Sequence, residues 1–175
     1  MSRTVRNFLP LVGEPTALTL AFEGDALRWL PGARRSGPDT FDLPLHAGAF
    51  TRTVRAAVGP PWQAGATRWR SLRWDPISEE GEPGAFDRLL PGLDGELGLN
   101  VEPPTRVTLL LDARYRPPGG PVGAAADAMA LRRVAEGTVQ RFLEQTAARL
   151  GAEAVLLDDA APADPPPPVP GVAVG

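Results

Sequence analysis

Cysteine is absent from this chain of 175 residues, and so is lysine. Without a thiol there is no disulfide, no thiolate nucleophile and no cysteine-bound zinc. A single histidine, His46, excludes any site built from several imidazoles. Isoleucine occurs once, at Ile77, all 18 basic residues are Arg, and Ala, Gly and Pro abound. That bias reads as GC-rich coding and says little about function. The formal net charge of −3 supplies no field to draw in nucleic acid or an acidic membrane surface. No apolar run approaches the roughly 20 residues that span a bilayer. Near the N-terminus, Arg3 and Arg6 are followed by Pro10, Glu14 and Glu23, which interrupt any signal-peptide pattern, so a cytoplasmic location is expected. Neither a Gly-rich phosphate loop, a G-x-S-x-G elbow nor an H-E-x-x-H pair occurs, and no cofactor or metal is expected.

What is present is a chain long enough to bury roughly 70% of its unfolded surface in one domain. Residues 105–150 carry the clearest pattern. Val107, Leu109, Leu111, Ala113 and Tyr115 alternate with Thr108, Leu110, Asp112, Arg114 and Arg116, as in a half-buried strand. Pro117, Pro118, Gly119 and Gly120 stop it, and a one-sided helix follows as far as Gly151. Spacing at 100° puts Ala124, Ala128, Leu131, Ala135, Thr138, Val139, Phe142, Thr146 and Leu150 on one stripe, with Arg133, Glu136, Gln140 and Glu144 opposite. The stripe is small in its first half and large in its second. Small residues on a wall mean close approach by the sheet or a pocket.

Earlier in the chain, 3–11 reads as a strand, and 14–22 and 25–30 as two short helices parted by Gly24. Pro15 fits a first helical turn. Strands follow at 40–45 (stopping near Pro44), 50–58, 67–75 and 93–101. In the last, Leu93, Leu97, Leu99 and Val101 share one face, and Gly95 on that face marks a place for a bulge. Residues 33–39 and 76–84 read as loops, and 62–65 as a connection. Residues 1–157 form the expected domain. The remainder, 158–175, contains Pro165, Pro166, Pro167, Pro168 and Pro170 and reads as a disordered tail without a packed core.

This order of elements resembles the helix-grip fold of the START-like (SRPBCC) superfamily, which includes polyketide cyclases and coenzyme Q-binding proteins. The resemblance covers roughly residues 3–150. Its most specific pieces are Trp29-Leu30-Pro31-Gly32, Val58-Gly59-Pro60-Pro61, Leu72-Arg73-Trp74 and Leu93-Asp94-Gly95-Glu96-Leu97, with Ala113-Arg114-Tyr115 and Phe142-Leu143 later. These are packing and turn features. The resemblance implies an α+β fold: a curved antiparallel sheet of six or seven strands, with two short helices after the first strand. A long C-terminal helix lies across the sheet, with a cavity between them for a hydrophobic small molecule or lipid. The residues expected to line it are Trp74, Leu97, Leu99, Leu109, Leu111, Tyr115, Ala128, Leu131, Ala135 and Val139.

No catalytic residue follows from the resemblance. Asp127 flanks the helix stripe and could reach a cavity mouth, or act only on the helix dipole. Arg68, Arg70 and Arg73 interleave with Trp69 and Trp74. The tryptophans are five apart, however, and so face opposite ways in a strand, which argues against a nucleic-acid stacking surface. Three readings remain: a carrier or binder of a hydrophobic molecule, a polyketide cyclase-like enzyme using the same pocket, or an interaction protein with a filled core.

Overall fold

The computed structural model describes residues 3–47, 50–77, 92–102, 106–115 and 127–154. Strand β1 (Arg3–Val12) leads into helices α1 (Pro15–Glu23) and α2 (Ala26–Trp29). The two-residue β2 (Arg34–Arg35), then β3 (Thr40–Ala47), β4 (Phe50–Val58), β5 (Trp62–Ala64) and β6 (Thr67–Pro76) follow. β7 (Leu93–Glu102), β8 (Arg106–Tyr115), α3 (Asp127–Leu150) and β9 (Glu153–Ala154) complete the order. The expected α+β architecture is present. Six long strands do match the expected number, and β2, β5 and β9 are short additions.

All strand pairs are antiparallel, in the order β2-β3-β4-β6-β7-β8-β1-β9, with β5 pairing on β6. Helix α3 packs against β3, near one end of that order, and against β1, near the other. A flat sheet could not bring both ends to one helix, so the sheet curls around it. The inner face follows strict alternation. Leu9, Leu109 and Leu99 stand side by side across β1, β8 and β7, and Leu111 stands beside Leu97 one pleat away. All are buried.

Local chemistry starts and stops the short helices. Both carboxylate oxygens of Glu14 accept from main-chain N–H groups at the start of α1, Thr16 at 2.9 Å and Ala17 at 2.6 Å, and Pro15 occupies the first turn. Asp25 caps α2 through Leu27 N–H at 3.0 Å. These main-chain donors hold both carboxyl groups below their ordinary pKa, with Arg35 helping at Asp25.

Two local expectations are corrected. β3 does not stop at Pro44 but runs on to Ala47. β2 pairs only with Phe41 and Asp42, so beyond them β3 is an edge, where a residue lacking an N–H leaves no partner unsatisfied. Gly95 is not a bulge: the register with β6 and β8 is unbroken through it. A Cβ there would collide with the main chain of Asp112 and Ala113, so glycine is needed for close approach of the strands.

Candidate functional site

The inner face of the sheet, roofed by α3 and closed at one end by α1 and α2, is where a site would lie. The second half of α3 is a solid wall. Thr138, Val139, Phe142, Leu143, Thr146, Ala147 and Leu150 are buried, while Arg133, Glu136 and Gly137 are exposed. The expected stripe is correct over this half, widened by Leu143 and Ala147. Phe142 presses edge-on against Trp74, ring centres 5.5 Å apart.

Of the ten expected lining residues, Trp74, Leu97, Leu99, Leu109, Leu111 and Val139 are all buried, the first five on the inner face of the sheet and Val139 on α3. The side chains of Tyr115, Ala128, Leu131 and Ala135 lie outside the described residues, as does that of Asp127. The main chain places Tyr115 opposite Leu93 and Arg3, at the end of the sheet away from the 106–107 end of β8.

The residue that sequence reasoning missed is Arg70. In β6, Arg68, Arg70, Leu72 and Trp74 share a parity, and the burial of Leu72 and Trp74 identifies that parity as inward. Arg70 is therefore an arginine inside the grip, only 7% exposed. One terminal nitrogen donates to the carbonyls of Glu23 (2.8 Å) and Gly24 (2.9 Å), where α1 ends and its last carbonyls lack helical partners. Arg68, also facing inward, pairs with Glu23 at 2.6 Å. The two arginines thus fasten the end of α1 to the sheet and meet the negative end of its dipole.

Anchoring does not use all of Arg70. Its Nε is buried and has no hydrogen-bond partner, and its guanidinium carbon lies 5.8 Å from the ring centre of Trp29. Trp29 is 1% exposed, stacks on Phe22 at 5.5 Å, and its indole N–H is also unpartnered. Thr146, wholly buried on α3, has an unpartnered hydroxyl. Burial pushes the Arg70 pKa below its ordinary value, opposed by Asp25, Glu23 and Asp39, yet a guanidinium stays charged at any physiological pH. A buried, charged donor with an unused N–H attracts an oxygen atom of a ligand or an ordered water, because leaving it bare costs about 1–3 kcal/mol.

The geometry decides the architecture. It is a helix-grip fold. The solved structures similar to this chain agree. A conserved protein from Geobacillus kaustophilus superposes with a TM-score of 0.53 at 13% identity, covering 85% of this chain and 95% of its own. The ZhuI aromatase/cyclase from Streptomyces sp. R1128 gives 0.51 at 15% identity, covering 86% and 93%. The di-domain ARO/CYC StfQ from the steffimycin biosynthetic pathway gives 0.52 at 15%, with 86% of this chain matched to 51% of that one. No protein-family model and no curated protein matches the sequence. At these identities the likeness is one of fold.

Other features of the helix-grip domain are simpler. A cleft of about 370 Å³ opens between Pro31, Gly32, Pro44 and His46 on one side and Gln145, Ala148 and Arg149 of α3 on the other. None of the expected lining residues whose side chains are described borders it. His46 Nδ1 lies 2.8 Å from Thr51 Oγ1 across the β3–β4 pair, an ordinary hydrogen bond. Trp69 and Trp74 do face opposite ways: Trp74 is in the core, and Trp69 is half-buried on the outer face. The arginines divide likewise, Arg68 and Arg70 inward and Arg73 outward beside Asp75 at 3.2 Å. No helix among the described residues is long and apolar enough to cross a membrane.

Proposed function

We propose that this protein binds or carries a hydrophobic small molecule or lipid in the cytoplasm, held between α3 and the inner face of the sheet. Trp74, Leu97, Leu99, Leu109, Leu111 and Val139 supply apolar wall, and Tyr115, Ala128, Leu131 and Ala135 complete it in this reading. Arg70 is the observation that carries the proposal. Among the leucines of the inner face stands a buried, permanent cation whose Nε–H is unused, and one or two polar groups in a largely apolar site are what orient a ligand. The favoured ligand is apolar with one oxygen-bearing end.

The test uses two fluorescent probes, anionic anilinonaphthalene sulfonate and neutral Nile red, on the parent and on Arg70→Met. Both probes should bind the parent. The substitution should weaken the anionic probe by tenfold or more and the neutral one little. It should also lower stability by about 1.5–3 kcal/mol through the lost charged hydrogen bonds to α1. Equal loss of both probes, or binding of neither by the parent, would reduce Arg70 to a helix anchor. Ala135→Trp adds a check on the cavity: it should block both probes while leaving the melting temperature near that of the parent.

A second reading, a polyketide cyclase-like enzyme, draws support from two similar structures, the ZhuI aromatase/cyclase and the di-domain ARO/CYC StfQ. In it the same pocket folds a polyketide-like substrate and Arg70 steadies a developing enolate oxygen. Turnover of a linear poly-β-ketone model compound, lost in Arg70→Met, would favour it over simple carriage.

A further inference from the structure

The cleft beside Pro44 is separate from the inner face, and its position follows from strand pairing. β2 pairs only with Phe41 and Asp42, so from Leu43 onward β3 has no neighbouring strand on that side. Gln145, Ala148 and Arg149 of α3 border the gap instead. Within β3, Leu43 and Leu45 are buried in the core and alternate with Pro44 and His46. The cleft therefore borders the parity that faces away from the core. Gly32 shapes one wall. Its φ of +66° lies in the left-handed region, and a Cβ there would meet the Pro44 ring at 2.9 Å, so glycine lets the turn after α2 lie against that proline.

The walls divide by chemistry. Pro31, Pro44 and Ala148 are apolar, whereas His46, Gln145 and Arg149 carry side-chain nitrogens. His46 Nδ1 is taken by Thr51 Oγ1 at 2.8 Å, which leaves Nε2 for a ligand. One terminal nitrogen of Arg149 makes a long bond of 3.4 Å to the carbonyl of Arg28, so most of its N–H groups are uncommitted. Among the described residues no carboxylate borders the cleft. The acids closest in sequence to its walls are engaged elsewhere: Asp42 pairs with Arg55 at 3.3 Å, and Glu144 accepts from Gln140 at 3.0 Å. The carbonyls of Ala147 and Ala148, near the negative end of α3, accept from Ala152 and Gly151 at 3.0 and 3.2 Å.

We propose that this cleft binds a small organic carboxylate, its apolar body against the two prolines and Ala148 and its charge on the Arg149 guanidinium. Charge selects the ligand: a permanent cation with no acid beside it favours an anion, and a guanidinium offers two parallel N–H groups to the two oxygens of a carboxylate. Size sets the scale. A volume of about 370 Å³ is at the lower end of small-molecule pockets and suits a compact molecule. Arg149 is exposed, and screening takes part of the attraction, so binding is weak, in the millimolar range.

Titration of isotope-labelled protein with benzoate, followed through amide chemical shifts, tests the site, with benzamide as the uncharged match. Benzoate should move the amides of Gly32, His46, Ala148 and Arg149 first, and benzamide should bind at least tenfold more weakly. Arg149→Met should weaken benzoate by a similar factor, and Ala148→Phe should block it by filling the cleft. Both positions are exposed, so the rest of each spectrum should match the parent's. No shift at these amides at tens of millimolar benzoate overturns the proposal. So does equal binding of benzamide, or benzoate held as well by Arg149→Met as by the parent. Shifts confined to inner-face amides such as Leu99 and Leu109 would place the carboxylate inside the grip and overturn it too.

Discussion

The two faces of one sheet obey opposite versions of the same rule, and each has its exceptions. Along β6 the inward residues are Arg68, Arg70, Leu72 and Trp74, and the outward ones Thr67, Trp69, Ser71 and Arg73. The inner face is leucine-rich and buried, yet it holds a buried arginine. The outer face is polar and wet, yet it carries Trp62, Trp69, Leu110 and Phe8 in a row. Alternation alone explains most of both faces through burial of apolar area. Folding accounts for part of the inner exception, since Arg70 anchors the end of α1, and its unused Nε–H supports the reading of a ligand within.

The largest expected effect breaks the inner face. Phe142→Ala removes a ring that is 1% exposed and rests edge-on against Trp74. Chemical denaturation should show a loss of about 3–5 kcal/mol. A loss below about 1 kcal/mol would mean that this end of the core is loosely filled.

A paired glycine experiment then sharpens the contrast between the faces. At Gly95, on the inner face, an added methyl meets the main chain of Asp112 and Ala113, which cannot move without disturbing the ladder. Gly95→Ala should cost about 1–3 kcal/mol. At Gly98, on the outer face, the obstacle is the Trp69 ring, and a side chain at the surface can swing aside. Gly98→Ala should be the milder of the two in urea denaturation, and should lift the indole into solvent, quenching and red-shifting its emission. Equal costs would show the outer row to be as rigid as the core.

Acid provides a smaller effect, directed at the helices that close the inner face. Glu14 and Asp25 have folded pKa values depressed from 4.5 and 3.8 by main-chain N–H groups. A depressed carboxyl contributes stability above its unfolded pKa and loses it as pH falls through the folded value. Melting temperature should therefore decline as pH drops from about 4.5, and the decline should be shallower in a Glu14→Gln, Asp25→Asn double variant. Identical pH profiles would remove these caps from the acid response. The smallest effect concerns residues beyond 157. We propose that they lie outside the folded domain, so truncation there should leave the melting temperature almost unchanged; a fall of several degrees would show that they pack on it.

Much of this could be read from residue order. Alternation placed β7 and β8 within one or two residues, the strands read at 3–11, 50–58 and 67–75 ended within one residue of β1, β4 and β6, and Pro15 and Gly24 marked the bounds of α1. The 3.6-residue period oriented the described half of α3. These features are local: each depends on neighbours a few residues away, so the sequence alone determined them, along with the class of the fold. The reach of β3 through Pro44 was not legible, because it depends on whether another strand happens to pair there. Gly95 misled for the same reason, since its constraint comes from the main chain of Ala113, distant in sequence.

The two exceptions to alternation were likewise decided by tertiary structure. Arg70 shows its parity in the sequence, but an arginine at an inward position is ordinarily read as a misplaced surface residue. Only the arrival of the last carbonyls of α1, 46 and 47 residues away, makes its burial tolerable. The outer row is written in five separate strands, and no spacing within any one of them reveals it. Register assembles it, and register is fixed by where the inner face finds its core.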